Sequence, residues 1–329
     1  DSNAATIAPV AVLVVWFVGL PIVCLLVGDV MRWISPFPAV VWALARGNDA
    51  DPSDRVAPAW TASAFLGAFA WFFLAYHQPG SPRALAVFLV GYVVAAAAGG
   101  LWWGRGWLAT GEGFSALSAT VARIGLRRPR SAAPAGTAAL MIVWLGGTVF
   151  DAFASTPFWV DILGTSRGWT RTLLNSVGLV WLTAIVAGLF LVIVRLAERS
   201  RAESDDPARL TMPLGAALIP LATGWFIGHD LTLLLFEGQN FYALLSDPLG
   251  RGWDLFGTFD HTIDYRVLQS AWVRVVQLTV LVAGHVGAVI LLHDIALRLL
   301  RRRDAMRLTW TMAVVTSASI TAAALLVLT

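Results

Sequence analysis

The sequence predicts an all-α, polytopic transmembrane helix bundle of about eight spans, with one or two interfacial helices. Three observations predict it. Hydrophobic residues make up 58% of the 329, and the mean hydropathy is +0.72. Charged residues make up only 13%, about half the share of an ordinary soluble domain. Apolar runs approaching the ~20 residues that cross a hydrocarbon core recur along the chain, without the alternation of barrel strands.

The runs fall at roughly 7–28, 58–76, 84–103, 136–155, 172–194, 214–236, 269–292 and 308–329. Two segments, 30–45 ("VMRWISPFPAVVWALA") and 107–124 ("WLATGEGFSALSATVARI"), mix polar with aromatic residues and read as interfacial or re-entrant pieces. The whole is expected to be one transmembrane domain. Because the chain starts at Asp1, an N-terminal portion is expected to precede it.

All 23 basic residues are Arg, which suggests a GC-rich, actinobacterial source. The loops after the odd-numbered spans carry 17 arginines, those after the even-numbered spans carry 5, and Arg274 lies inside the seventh span. Positive charge stays inside. The expected location is therefore a bacterial plasma membrane, with both termini of this chain extracytoplasmic. The arginine clusters then contact lipid headgroups and not nucleic acid. Cys24, the only cysteine, excludes an internal disulfide, a zinc site built on cysteines and an iron–sulfur cluster.

Ionisable residues inside apolar spans are costly and mark functional positions or paired charges. Span 4 carries Asp151, span 6 carries His229, Asp230 and Glu237, and span 7 carries Arg274, Gln277 and His285. Thr223, Asp230 and Glu237 are seven apart and form one helical stripe. Gly224-xxx-Gly228 and Gly284-xxx-Ala288 are small-residue patterns that let spans 6 and 7 approach closely. Asp151, His229 and Arg274 are the candidate catalytic residues, with Asp230, Glu237, Gln277 and His285 around the substrate cavity. The competing reading is a charge staple in which Arg274 satisfies Asp151 or Asp230. A long loop, "SDPLGRGWDLFGTFDHTIDY", follows span 6, and Asp254, Asp260 and His261 are its candidate ligands for a divalent metal ion. No nucleotide loop, nucleophile elbow or HExxH motif is present.

The stretches "LLVGDV" (25–30), "TVFDAFAST" (148–156), "LLLFEGQ" (233–239), "SDPLGRGWDLFGT" (246–258), "IDY" (263–265) and "LVAGHVGAVILLHD" (281–294) together resemble actinobacterial membrane proteins named fenitrothion hydrolase. The similarity runs over most of the chain. It implies hydrolysis of an organophosphate triester, and further spans N-terminal to Asp1. The chain departs from that pattern at Asp230, where an aromatic residue commonly follows the histidine, and at Glu237, where Gln is common. Asp151, His229, the loop acids and His285 keep it. Two functions follow: a hydrolase drawing an apolar substrate from the bilayer, or an ion- or proton-coupled transporter, channel or membrane-complex subunit.

Overall fold

The computed structural model describes residues 6–45, 57–125, 133–199, 208–266 and 271–328. Asp1 and several arginines of the orientation argument (Arg46, Arg55, Arg127, Arg128, Arg130 and Arg201) lie outside them. Among the described residues every regular element is a helix. In chain order the labelled helices are α1 (Ile7–Val27), α2 (Met31–Ile34), α3 (Phe37–Leu44), α4 (Thr61–Ala75), α5 (Pro82–Trp103), α6 (Gly113–Val121), α7 (Thr137–Ala154), α8 (Pro157–Leu163), α9 (Gly168–Glu198), α10 (Ala208–Gly215), α11 (Leu218–Leu244), α12 (Ala271–Leu299) and α13 (Arg302–Leu328), with two short helical turns, Arg105–Trp107 and Leu108–Gly111, between α5 and α6.

The all-α bundle is as predicted, but the span count is lower. Among the described residues six helical stretches are long and apolar enough to cross a membrane: α1, α5, α7, α9, α12 and the continuous stretch Leu210–Leu244. The second expected span, α4, has fifteen residues. At 1.5 Å per residue it reaches only about 22 Å, short of a ~30 Å hydrocarbon core. The eighth expected span, 308–329, starts within α13, whose charged residues Arg302, Arg303, Asp304 and Arg307 all precede it, and α13 is not among the six.

Packing shows which helix ends lie together. Ile7 N donates to Pro248 O at 3.1 Å, so α1 begins at the end of the bundle that bears the loop 245–266. The helices α11 and α12 run antiparallel and nearly touch. A Cβ on Gly224 would stand 2.7 Å from Gly284 Cα, and one on Gly284 would stand 2.6 Å from Pro220 O. Glycine there is a packing requirement, as the small-residue patterns predict.

The segment 107–124 does not lie flat on the surface. A Cβ on Gly113 would meet Leu66 N at 2.9 Å and Tyr92 Oη at 3.1 Å, both well inside α4 and α5. One on Gly125 would meet Leu25 O at 2.6 Å, near the far end of α1. The chain therefore enters the bundle after Trp103, turns at Glu112 and returns as α6: it is re-entrant. A break in helical backbone such as the one at Glu112 survives in a membrane only where protein satisfies its polar groups. Glu112, fully buried, does so by accepting from Phe114 N (2.9 Å), Ser115 N (2.8 Å), Ser115 Oγ (2.6 Å) and the Tyr92 hydroxyl.

Candidate functional site

Two helices build the site. In α7, Gly147 and Thr148 lie one turn before Asp151, which stands near the helix's C-terminal end. In α11, His229 and Asp230 lie near the middle of the helix. Neighbouring side chains on a helix diverge by about 100°, so these two point to either side of the same partner helix. His229 Nε2 and Asp151 Oδ2 are 3.2 Å apart. With one oxygen of Asp230 added, three ligand atoms all lie within 4.8 Å of one another. Among the described residues this is the one such group of three.

The group has a dry side and an open side. Asp230 is only 4% exposed, whereas the side chains of His229 and Asp151 keep 25% and 34% of their surface. On the dry side, Asp151 and Asp230 face a cavity of about 10 Å³ walled by Phe17, Phe73, Trp144 and Phe226. That holds about one water-sized occupant. Two π-helical turns frame it, Val10–Trp16 immediately before Phe17 and Trp71–Ala75 around Phe73 and Leu74. Wide turns of this kind concentrate at functional sites. The first ends at Phe17, whose carbonyl loses its helical partner because Pro21 has no N–H.

The electrostatics are incomplete as they stand. Two carboxylates and one imidazole share a largely apolar surrounding. Arg274, the candidate counter-charge, is exposed on α12 and makes no ion pair with Asp151 or Asp230 among the described residues. The staple reading therefore lacks its arginine. Buried carboxylates without a cation are expensive, so the arrangement suits a proton or a metal ion.

The other expected residues take different places. Gln277 is buried and donates from Nε2 to Gly228 O at 2.9 Å, tying α12 to α11 just below His229. Glu237 is half-buried and accepts from Asn240 Nδ2 at 3.1 Å. His285 is buried against Trp225 of α11 and Ser319 of α13, away from the Asp151–His229–Asp230 group. In the loop, Asp254, Asp260 and His261 are all exposed and do not converge on a common point. Asp254 accepts from Phe259 N at 3.2 Å, and the His261 ring stands edge-on to Tyr242.

The loop's sequence instead specifies its shape. Ser246 Oγ accepts from Phe256 N (3.1 Å) and Thr258 N (3.0 Å), and Asp247 accepts from Arg251 N and Gly252 N (both 2.7 Å). Gly250, Gly252 and Gly257 have φ of 65°, 76° and 70°, which suit glycine. Gln239 Oε1 accepts from Asp264 N at 2.8 Å, holding the loop to the end of α11. Partial burial pushes the Asp247 carboxyl up, but the backbone N–H groups of Arg251 and Gly252 outweigh it and leave it below its ordinary value. The Arg266 side chain and backbone N–H likewise lower Asp264.

Sequence reasoning missed Glu112, Trp225 and Ser319. The signal for Glu112 was present, a single acid between glycines in "TGEGF" inside an apolar segment. Ser319, in an alanine-rich helix, gave none.

Comparison with protein-family models, with curated proteins and with solved structures finds no match to this chain.

Proposed function

We propose that this chain is a membrane-embedded, metal-dependent hydrolase of phosphoric esters, with Asp151, His229 and Asp230 as ligands to one divalent cation. The observation that carries the reading is the convergence of two carboxylates and one imidazole within 4.8 Å. Three protein ligands with a remaining position open is the pattern of catalytic metal sites, in contrast to closed structural ones. The half-exposed side chains of Asp151 and His229 supply that opening. A divalent cation at this point would lower the pKa of bound water toward neutrality and polarise a phosphoryl oxygen. Asp151 Oδ2 and His229 Nε2, 3.2 Å apart, are close enough for both to reach the same ion. Asp230 supplies charge from the dry side. The resemblance to fenitrothion hydrolases supports an apolar phosphotriester as substrate, and the arginine excess of the odd-numbered loops supports the even-loop face as extracytoplasmic.

A second reading rests on the 10 Å³ cavity against Asp151 and Asp230, which fits a cation or a water and not an ester. It makes the group an ion- or proton-coupling site. One experiment separates the two: the purified chain, stripped and reloaded with Mn²⁺ or Zn²⁺, is assayed for release of nitrophenol from a nitrophenyl phosphotriester. Metal-dependent turnover lost in Asp151→Asn supports the hydrolase. Metal binding without turnover, together with cation flux in proteoliposomes, supports the coupling site.

A further inference from the structure

We propose that Ser319 and His285 form a nucleophile–base pair that acts on a membrane-soluble ester held in the groove between α9, α11 and α13. This inference goes beyond the metal centre and does not depend on it.

The histidine's tautomer is fixed by its partners. Nδ1 lies 2.7 Å from Leu281 O, which can only accept, so Nδ1 carries the proton. Trp225 Nε1, which can only donate, reaches Nε2 at 3.3 Å. Both contacts leave the Nε2 lone pair unprotonated, and Ser319 Oγ stands 2.9 Å from it. A hydroxyl, a base and a third group orienting the base are the parts of an activated nucleophile. The backbone carbonyl of Leu281 is the orienting group here. The serine hydrogen has a second acceptor in Thr316 O, at 2.8 Å.

The surroundings suit a lipid-like substrate. Ser319 lines a groove of about 220 Å³ whose walls include Leu182, Val186, Phe190, Leu221 and Trp225. Ile185 and Leu189, exposed on the outer surface of the bundle, form its mouth. Such a site takes an apolar chain and offers it one polar end. His285 is 1% exposed and lies behind Ser319 and Trp225, the two groove-lining residues that it contacts.

In the first step Ser319 Oγ attacks the ester carbonyl carbon. The Oγ–C bond forms, the carbonyl π electrons move to oxygen, and the Oγ proton passes to His285 Nε2. Collapse breaks the bond to the alcohol oxygen, which takes that proton and leaves. Water then releases the acyl group by the same steps in reverse roles.

A long-chain alkyl fluorophosphonate tests the pair without knowledge of the natural ester. Oγ would displace fluoride at phosphorus, and the proton would pass to His285. The full chain in detergent is treated with this probe and mapped by peptide mass spectrometry, with thermal unfolding as a check on folding. The expected result is one adduct on Ser319, unaffected by chelation. The rate should fall about 100-fold or more in His285→Gln, and Val186→Trp, which fills the groove, should block labelling. An unmodified Ser319 in the folded wild-type chain would overturn the proposal, as would labelling of His285→Gln at the wild-type rate or labelling abolished by chelation.

Discussion

Asp151 on α7 and His229 on α11, 78 residues apart in sequence, meet at 3.2 Å and fix the height at which these two helices pack. The contact places a carboxyl oxygen and a ring nitrogen beside Asp230, whose own side chain is nearly dry. If a cation completes this group, each ligand should be needed for its binding. Asp151→Asn keeps the shape and removes the charge. Changes even to groups behind metal ligands cost 10–100-fold in affinity, so Asp151→Asn and His229→Gln should each weaken Mn²⁺ or Zn²⁺ binding by about 100-fold or more. Calorimetric titration in detergent checks this, and the unfolding temperature should stay close to that of the wild type.

The glycine contact between α11 and α12 should be intolerant of bulk. A Cβ on Gly224 would meet backbone atoms of Gly284 and Val280 at 2.7 and 2.9 Å, and backbone cannot swing aside. Gly224→Val should therefore destabilise the chain by about 1–3 kcal/mol or more. It should also spread α11 from α12 below His229, breaking the bond from Gln277 to Gly228 O. Thermal unfolding followed by tryptophan fluorescence reads the first effect, and metal titration reads the second.

Glu112 should matter as an acceptor. Glu112→Ala leaves two backbone N–H groups, the Ser115 hydroxyl and the Tyr92 hydroxyl without their carboxylate. Each buried donor left unsatisfied costs about 1–3 kcal/mol, so the variant should lose at least ~3 kcal/mol or fail to accumulate. Tyr92→Phe removes one donor and leaves Glu112 three others, and it should be much milder. Yield and unfolding temperature of the two variants give the comparison.

The loop 245–266 should loosen in acid. Asp247 and Asp264 both have carboxyl groups held below their ordinary values. A lowered folded-state pKa means the contribution is full above the unfolded value, about 3.9, and is lost as pH falls through the folded value. Hydrogen exchange at Arg251 and Gly252, whose N–H groups Asp247 accepts, should be slow and protected at pH 6 and lose protection below about pH 4. Asp247→Asn should show the loss already at pH 6.

Composition made the helix bundle legible, and the cost of burying charge marked Asp151, His229 and Asp230 one by one as candidates. Their meeting as one trio was not legible, because helical rotation turns His229 away from the stripe that carries Asp230. Helix rotation was harder to read. In a membrane the lipid face is as apolar as the packed face, so an apolar pattern does not say which side turns inward. That is why Arg274 looked able to pair with Asp230 and is exposed instead, and why His285 looked part of the same cavity and meets Trp225 and Ser319 instead. The span count erred for a related reason. Apolarity marks α4 as membrane-like, but its fifteen helical residues are set by the turn at Tyr76 and the chain's path at Pro58, which hydropathy does not register. The loop motif was read for its acids, while the folded chain uses Asp247 as a backbone acceptor and its glycines as left-handed turns.

The central claim is that Asp151, His229 and Asp230 hold a divalent cation, and elemental analysis of the purified full chain tests it most directly. Wild-type protein dialysed against Mn²⁺ or Zn²⁺ should retain about one ion per chain after the free metal is removed, and the Asp151→Asn/His229→Gln double variant should retain none. A folded wild-type chain that holds no more metal than the double variant would contradict the account.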